Sequence, residues 1–170
     1  GSMKYKKHDA KAYARENMTG IWAAALNPFN DDLSLNEVGL RSNIRHWIDD
    51  LKIQGLFVAG KQGEFFSMSV EERKRNIEIA VDECAGKAGV IVSVSDQNMD
   101  TALELAHFAQ DCGADYIVVH APVLSFVHDR GEVLYQYYKT FCDQLDIGIA
   151  MWSHPDSGYL MQPEECARIA

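Results

Sequence analysis

Short apolar runs alternate with helix-patterned stretches along this chain, and that alternation limits the possible folds more than any single motif. The runs are Gly20–Leu26, Leu56–Ala59, Val90–Ser95, Asp115–His120 and Ile147–Trp152. Each has the length and composition of a strand, and Leu56–Ala59 reads as one buried on both faces. Helical signals fill the gaps. Ser34-Leu35-Asn36-Glu37 and Ser69-Val70-Glu71-Glu72 both carry the Ser-x-x-Glu spacing of a capping box. Val38, Ile44, Trp47, Ile48 and Leu51 then keep helical spacing up to Gly55. A second helix closes near Gly86, and Asp96-Gln97-Asn98 leads into a third closed by Gly113. Asp129-Arg130-Gly131-Glu132 opens another that runs to about Leu145, and Pro163 suits the first turn of one more. An outer helix is expected over His8–Asn17.

Strict strand–helix alternation predicts a parallel sheet with right-handed crossovers. Two α/β architectures meet that requirement. One is a five-stranded doubly wound parallel sheet; the other is a (β/α)8 TIM barrel, which needs about 250 residues and would here cover about the first five strands. The polar residues favour the barrel. Asn27, Lys61-Gln62, Ser95-Asp96, His120 and Trp152-Ser153-His154 stand at the C-terminal ends of successive strands. A barrel draws its chemistry from many strand ends, whereas a doubly wound sheet gathers it at one switch point. The expected organisation is residues 1–19 as a tag scar (Gly1-Ser2-Met3) with the N-terminal helix, then residues 20–170 as the N-terminal portion of one barrel domain. The last helix has no stop signal before Ala170, which fits a barrel continuing beyond it.

Charge and cysteine usage exclude several roles. With 16 basic and 25 acidic residues the net charge is −9, which leaves no basic surface for nucleic acid or an anionic membrane. No signal peptide and no run of about 18 apolar residues is visible, so a soluble protein is expected. Cys84, Cys112, Cys142 and Cys166 are widely spaced among apolar neighbours. That spacing argues against a zinc site and suits reduced, buried thiols in a cytoplasmic protein.

The second run leads directly into Gly60-Lys61-Gln62-Gly63-Glu64. Glycines at both ends of a polar pair permit backbone conformations closed to other residues and let a ligand approach the main chain. The amides of Lys61, Gln62 and Gly63 can then converge on a small anion such as a carboxylate. A tight strand-to-helix connection that needs glycine for geometry alone is the competing explanation.

Taken in order, these motifs resemble the dihydrodipicolinate synthase and N-acetylneuraminate lyase family of class I aldolases. The resemblance runs from Gly20 to Ala170. It rests on Leu26-Asn27-Pro28, Gly60-Lys61-Gln62-Gly63-Glu64, Asp111-Cys112-Gly113-Ala114-Asp115, Ala121-Pro122, Leu134-Tyr135-Gln136-Tyr137-Tyr138 and Trp152-Ser153-His154-Pro155. It implies a (β/α)8 barrel, usually tetrameric, and no cofactor. It also implies a lyase in which a lysine on the sixth strand, beyond Ala170, forms a Schiff base with pyruvate or another 2-oxo acid. The iminium is an electron sink through which the adjacent bond is made or broken. By the same resemblance, Gly60, Lys61, Gln62 and Gly63 bind the 2-oxo acid carboxylate.

Departures from the family pattern shape the remaining expectations. The strand-five tyrosine that relays protons in the family aligns with Trp152, whose indole has a donor but no basic group. The strand-four tyrosine position falls near Val123-Leu124, and Asp156-Ser157-Gly158 stands where the synthases carry an arginine. True dihydrodipicolinate synthase activity is therefore disfavoured. The apolar Ala121–Leu124 stretch is more similar to the hydratase-aldolase members. Catalytic candidates are His154 and His120 as proton carriers and Trp152 as a pocket wall; a structural role is the alternative for each. Lys61 has a simpler task beside a carboxylate than as a replacement nucleophile. Other functional readings are a dehydratase or deaminase of the same family, or a non-catalytic barrel binding a small carboxylate.

Overall fold

The computed structural model describes residues 3–17, 20, 22–25, 27–58, 68–96, 98–120, 130–152 and 160–161. Helix α1 (Ala10–Asn17) precedes β1 (Trp22–Ala25), α2 (Glu37–Asp49), β2 (Gly55–Val58) and α3 (Val70–Cys84). There follow β3 (Gly89–Ser93), α4 (Met99–Cys112), β4 (Tyr116–His120), α5 (Arg130–Gln144), β5 (Gly148–Trp152) and β6 (Leu160–Met161). The five expected strands pair in parallel and in chain order, from β1 through β5. That order decides between the two architectures. A doubly wound sheet reverses direction at a switch point and so places helices on both faces. Sequential order with crossovers of one hand stacks every helix on one face, and such a sheet curls into a barrel wall. The doubly wound alternative is therefore set aside. Unexpected from the sequence is β6, which pairs antiparallel with the end of β5, Trp152 opposite Leu160.

The core lies between strands and helices. Leu56 and Val58, Val90 and Val92, Ile117 and Val119, and Ile149 point to the helical side and are almost fully buried. They meet Leu40, Ile44 and Ile48 of α2, Ile77 and Ala80 of α3, Leu105, Ala106 and Ala109 of α4, and Tyr138, Phe141 and Cys142 of α5. A fully buried Leu, Ile or Val contributes about 1.5–3 kcal/mol. Burial pushes the Cys84 thiol up to about 12; Cys142 is buried as well, and Cys112 is half-buried.

The α2 stripe differs from the one expected. Val38 is 80% exposed and Leu51 55% exposed, while Leu40 is fully buried. The buried set follows an i, i+4, i+8 rule, and Val38 lies two residues, about 200°, around the helix from Leu40. The cap is also shifted. Asn36, not Ser34, accepts a hydrogen bond from the Gly39 N–H at 2.9 Å. Ser34 instead gives its N–H and hydroxyl to Asp32, and Glu37 pairs with Arg75 across to α3. The second capping box forms as expected. Ser69 Oγ accepts from Glu72 N–H, and Glu72 Oε1 accepts from Ser69 N–H, each at 3.1 Å.

The N-terminal segment does more than lie on the outside. Ala10 is buried, and Met3, set aside as part of a tag scar, packs against the core. Tyr5, Tyr13 and Tyr116 stack at the N-terminal ends of β4 and β5, the Tyr5 and Tyr13 rings 4.5 Å apart. They surround Asp115, which is 2% exposed. Asp115 Oδ1 accepts from Tyr13 OH at 2.7 Å and Lys4 Nζ at 2.9 Å, and Oδ2 accepts from Val90 N–H at 2.7 Å. Tyr5 OH donates to the Asp115 carbonyl and accepts from Gly148 N–H. Burial pushes both the Tyr5 and the Tyr13 phenol upward, keeping them protonated donors. Gly148 has to be glycine: a Cβ there would stand 2.3 Å from the Tyr116 ring. At β2, Gly55 makes the same allowance for Trp22.

Candidate active site

The opposite, C-terminal ends of the strands collect the polar residues. Asn27, just past β1, is 7% exposed and donates through Nδ2 to Met68 Sδ at 3.2 Å. This contact ties the end of β1 to the residue that precedes the α3 cap. Asn27 Oδ1 is buried without a hydrogen-bond partner among the described residues. A buried carboxamide oxygen left unpaired costs about 1–3 kcal/mol, so it marks a place where a donor is wanted.

Past β3, Ser95 and Asp96 are held by Arg73 of α3. Arg73 Nη2 donates to the Ser95 carbonyl at 2.9 Å, and Nη1 to Asp96 Oδ2 at 3.0 Å. The guanidinium is 6% exposed, and burial pulls its pKa down against the opposing pull of Asp96. Arg73 was not among the expected residues. Its signal was present, because it falls on the apolar stripe that continues through Ile77, Ala80 and Cys84. A cation on a core-facing stripe has to be paired or functional. Tyr137 of α5 is half-buried; burial, with a contribution from the Asp96 charge, raises its phenol.

His120 ends β4, where it is accessible, and Trp152 ends β5 directly opposite it in register. The two expected residues thus stand side by side at neighbouring strand ends. Ser95 Oγ lies 2.5 Å from His120 Nδ1 and accepts the His120 main-chain N–H at 2.8 Å. The surrounding protein desolvates the ring and pulls its pKa below the ordinary histidine value. Gly60, Lys61, Gln62, Gly63 and His154 lie outside the described residues.

A separate cavity of about 460 Å³ opens on the outer helical layer beside Arg41, Arg75 and Cys112. Its arginines are already matched by Asp82, Glu83, Glu37 and Glu78, so it lacks unbalanced charge to hold a ligand. Among the described residues no group of three His, Cys, Asp or Glu side chains is placed to bind a metal. No helix among them is long and apolar enough to cross a membrane.

The family model for the dihydrodipicolinate synthetase family matches residues 17–170. The chain belongs to the dihydrodipicolinate synthetase family. An N-acetylneuraminate lyase from Clostridium perfringens is 40% identical over 153 residues, 89% of this chain and 52% of that protein. One from Haemophilus influenzae is 41% identical over 139 residues, 82% of this chain and 47% of that protein. The crystal structure of N-acetylneuraminate lyase from Fusobacterium nucleatum complexed with pyruvate superposes with a TM-score of 0.73 at 35% identity. That superposition covers 89% of this chain and 51% of the other. The chain spans about half the length of the curated relatives it matches. Its five strands are those of the first part of this family's barrel, and the polar strand ends occupy the face where barrel enzymes place their sites.

Proposed function

We propose that the protein containing this segment is a lyase that makes or breaks the bond next to the carbonyl of a 2-oxo acid through a lysine Schiff base. The lysine lies beyond Ala170 on this reading. The observation that carries the proposal is the family match over residues 17–170, with N-acetylneuraminate lyases at about 40% identity. Gly60, Lys61, Gln62 and Gly63 hold the substrate carboxylate, through main-chain amides and the Lys61 charge. His154 serves proton transfer, and His120 is the second polar group that meets the substrate. Trp152 forms a wall, since an indole has no titratable proton near neutrality. No cofactor is needed, because the Schiff base itself supplies the electron sink. A cytoplasmic homotetramer completes the reading.

A hydratase-aldolase variant of the same chemistry is favoured by one observation. Both positions where the family carries a relay tyrosine, Trp152 and Val123-Leu124, lack a hydroxyl, which suits a bulkier, more apolar aldehyde partner. Incubating the full-length protein with N-acetylneuraminate and with aromatic 2-oxo acids, and following pyruvate release, tests the function and separates the variants. No release from any of them would refute the lyase assignment. Trp152→Phe is expected to keep turnover within about tenfold, a barrier change of about 1.4 kcal/mol or less. His154→Ala is expected to lower turnover much further. The reverse ranking in steady-state rates would show the two roles to be exchanged.

A further inference from the structure

Ser95 and His120 meet because of sheet register. Ser93 pairs with Val118, and the ladder continues past β3 as Val94 N–H donates to the Val118 carbonyl at 3.1 Å. Two residues onward on each chain the side chains return to the same face. That step places Ser95 beside His120. The contact is doubled: the His120 main-chain N–H fixes Ser95 Oγ, and the same oxygen lies 2.5 Å from Nδ1 of the ring.

A serine hydroxyl has one hydrogen to give. Its oxygen already accepts the main-chain N–H, and the acceptor within reach of its own hydrogen among the described residues is Nδ1. With Ser95 O–H donating to Nδ1, a neutral ring carries its hydrogen on Nε2; with the hydrogen on Nδ1, the ring would donate to Ser95 Oγ instead. The serine is held on its other side too. Arg73 Nη2 grips the Ser95 carbonyl, Nη1 grips Asp96, and Asp96 Oδ1 accepts from Asn98 N–H at 2.9 Å. A guanidinium only 6% exposed is thus committed to keeping this strand end in place.

We propose that Ser95 is a positioning residue that locks His120 in the Nε2–H form, so that His120 serves the substrate as a hydrogen-bond donor to an oxygen of a 2-oxo acid and not as a base. This rests on the 2-oxo acid lyase reading for the identity of the substrate. The lock itself rests on the Ser95–His120 geometry alone. A donor aimed at an oxygen that gains charge as the bond breaks stabilises the transition state without moving a proton.

Nitrogen NMR of the full-length protein, labelled at histidine and assigned by comparison with His120→Gln, reads the tautomer directly. Wild type and Ser95→Thr are expected to show the Nε2–H form, and Ser95→Ala a mixture of tautomers. In parallel, Ser95→Ala is expected to lower kcat about tenfold or more, with Ser95→Thr restoring most of it. A hydrogen on Nδ1 in the wild type, or an unchanged tautomer in Ser95→Ala, would overturn the lock. Altered tautomers with unchanged kcat would overturn the substrate role. Failure of the wild type to release pyruvate counts against the lyase reading instead, and leaves the tautomer result to judge Ser95 on its own.

Discussion

Replacing Asp115 with alanine will destabilise the protein by about 2–4 kcal/mol, because it strips the acceptor from the buried Val90 N–H and from the Tyr13 hydroxyl, while the half-exposed Lys4 returns to water. Both carboxylate oxygens are engaged: one holds Tyr13 and Lys4, the other holds the Val90 N–H. Alanine leaves a buried main-chain donor at the base of β3 unpaired, at a cost of about 1–3 kcal/mol by itself. It also removes the side-chain tie to Lys4 and Tyr13, and leaves the N-terminal segment held by the tyrosine stack and by Tyr5, which bonds the Asp115 carbonyl and the Gly148 N–H. Asp115→Asn fares only partly better, because an amide has one acceptor oxygen where two groups of donors must be met. Denaturant unfolding of the full-length variants measures the loss. A change of under 1 kcal/mol for Asp115→Ala would mean that the tyrosine stack alone fastens the N-terminus.

The second large effect falls on binding. On the proposed reading, Gly63→Val abolishes 2-oxo acid binding and leaves the fold mostly intact. The carboxylate is held by main-chain amides, which a ligand reaches only where no Cβ intervenes, and a β-branched residue also stiffens the backbone. The loop joins β2 to the Ser69 cap, and neither end depends on Gly63: β2 pairs on both sides, and the α3 capping box is complete without it. Calorimetric titration of the full-length variant with pyruvate is the check. Unchanged affinity would remove this loop from the site.

Strand positions, their parallel pairing and the barrel were legible because each strand is a short apolar run bracketed by strong helix signals. Ser69 and Glu72 were legible as a cap for a local reason: both partners lie within one turn. Ser34-Leu35-Asn36-Glu37 misled for a local reason as well. Two residues in the same stretch can cap a helix, and Asp32, outside the motif, draws Ser34 away. Val38 and Leu51 misled because isolated apolar residues at near-helical spacing do not reveal which face meets the sheet. Leu40, Ile44 and Ile48 win that face through contact with strands far along the chain.

At the site, His120 was legible as a polar residue ending an apolar strand, as was Ser95, but not their contact. That contact depends on register between β3 and β4, which is fixed by packing and not by any local motif. Arg73 reaches the mouth from a helix, so a search confined to strand ends passes over it. The role of Asp115 is hidden for a similar reason, since its partners Lys4 and Tyr13 lie more than a hundred residues earlier.

The central claim, a lysine Schiff base with a 2-oxo acid, is tested most directly by borohydride reduction of the full-length protein in the presence of pyruvate, followed by intact mass and peptide mapping. The expected result is one reduced pyruvyl adduct per chain, on a lysine beyond Ala170, with the isolated segment 1–170 unlabelled. An adduct on Lys61, or no adduct on a protein that still releases pyruvate, would contradict it.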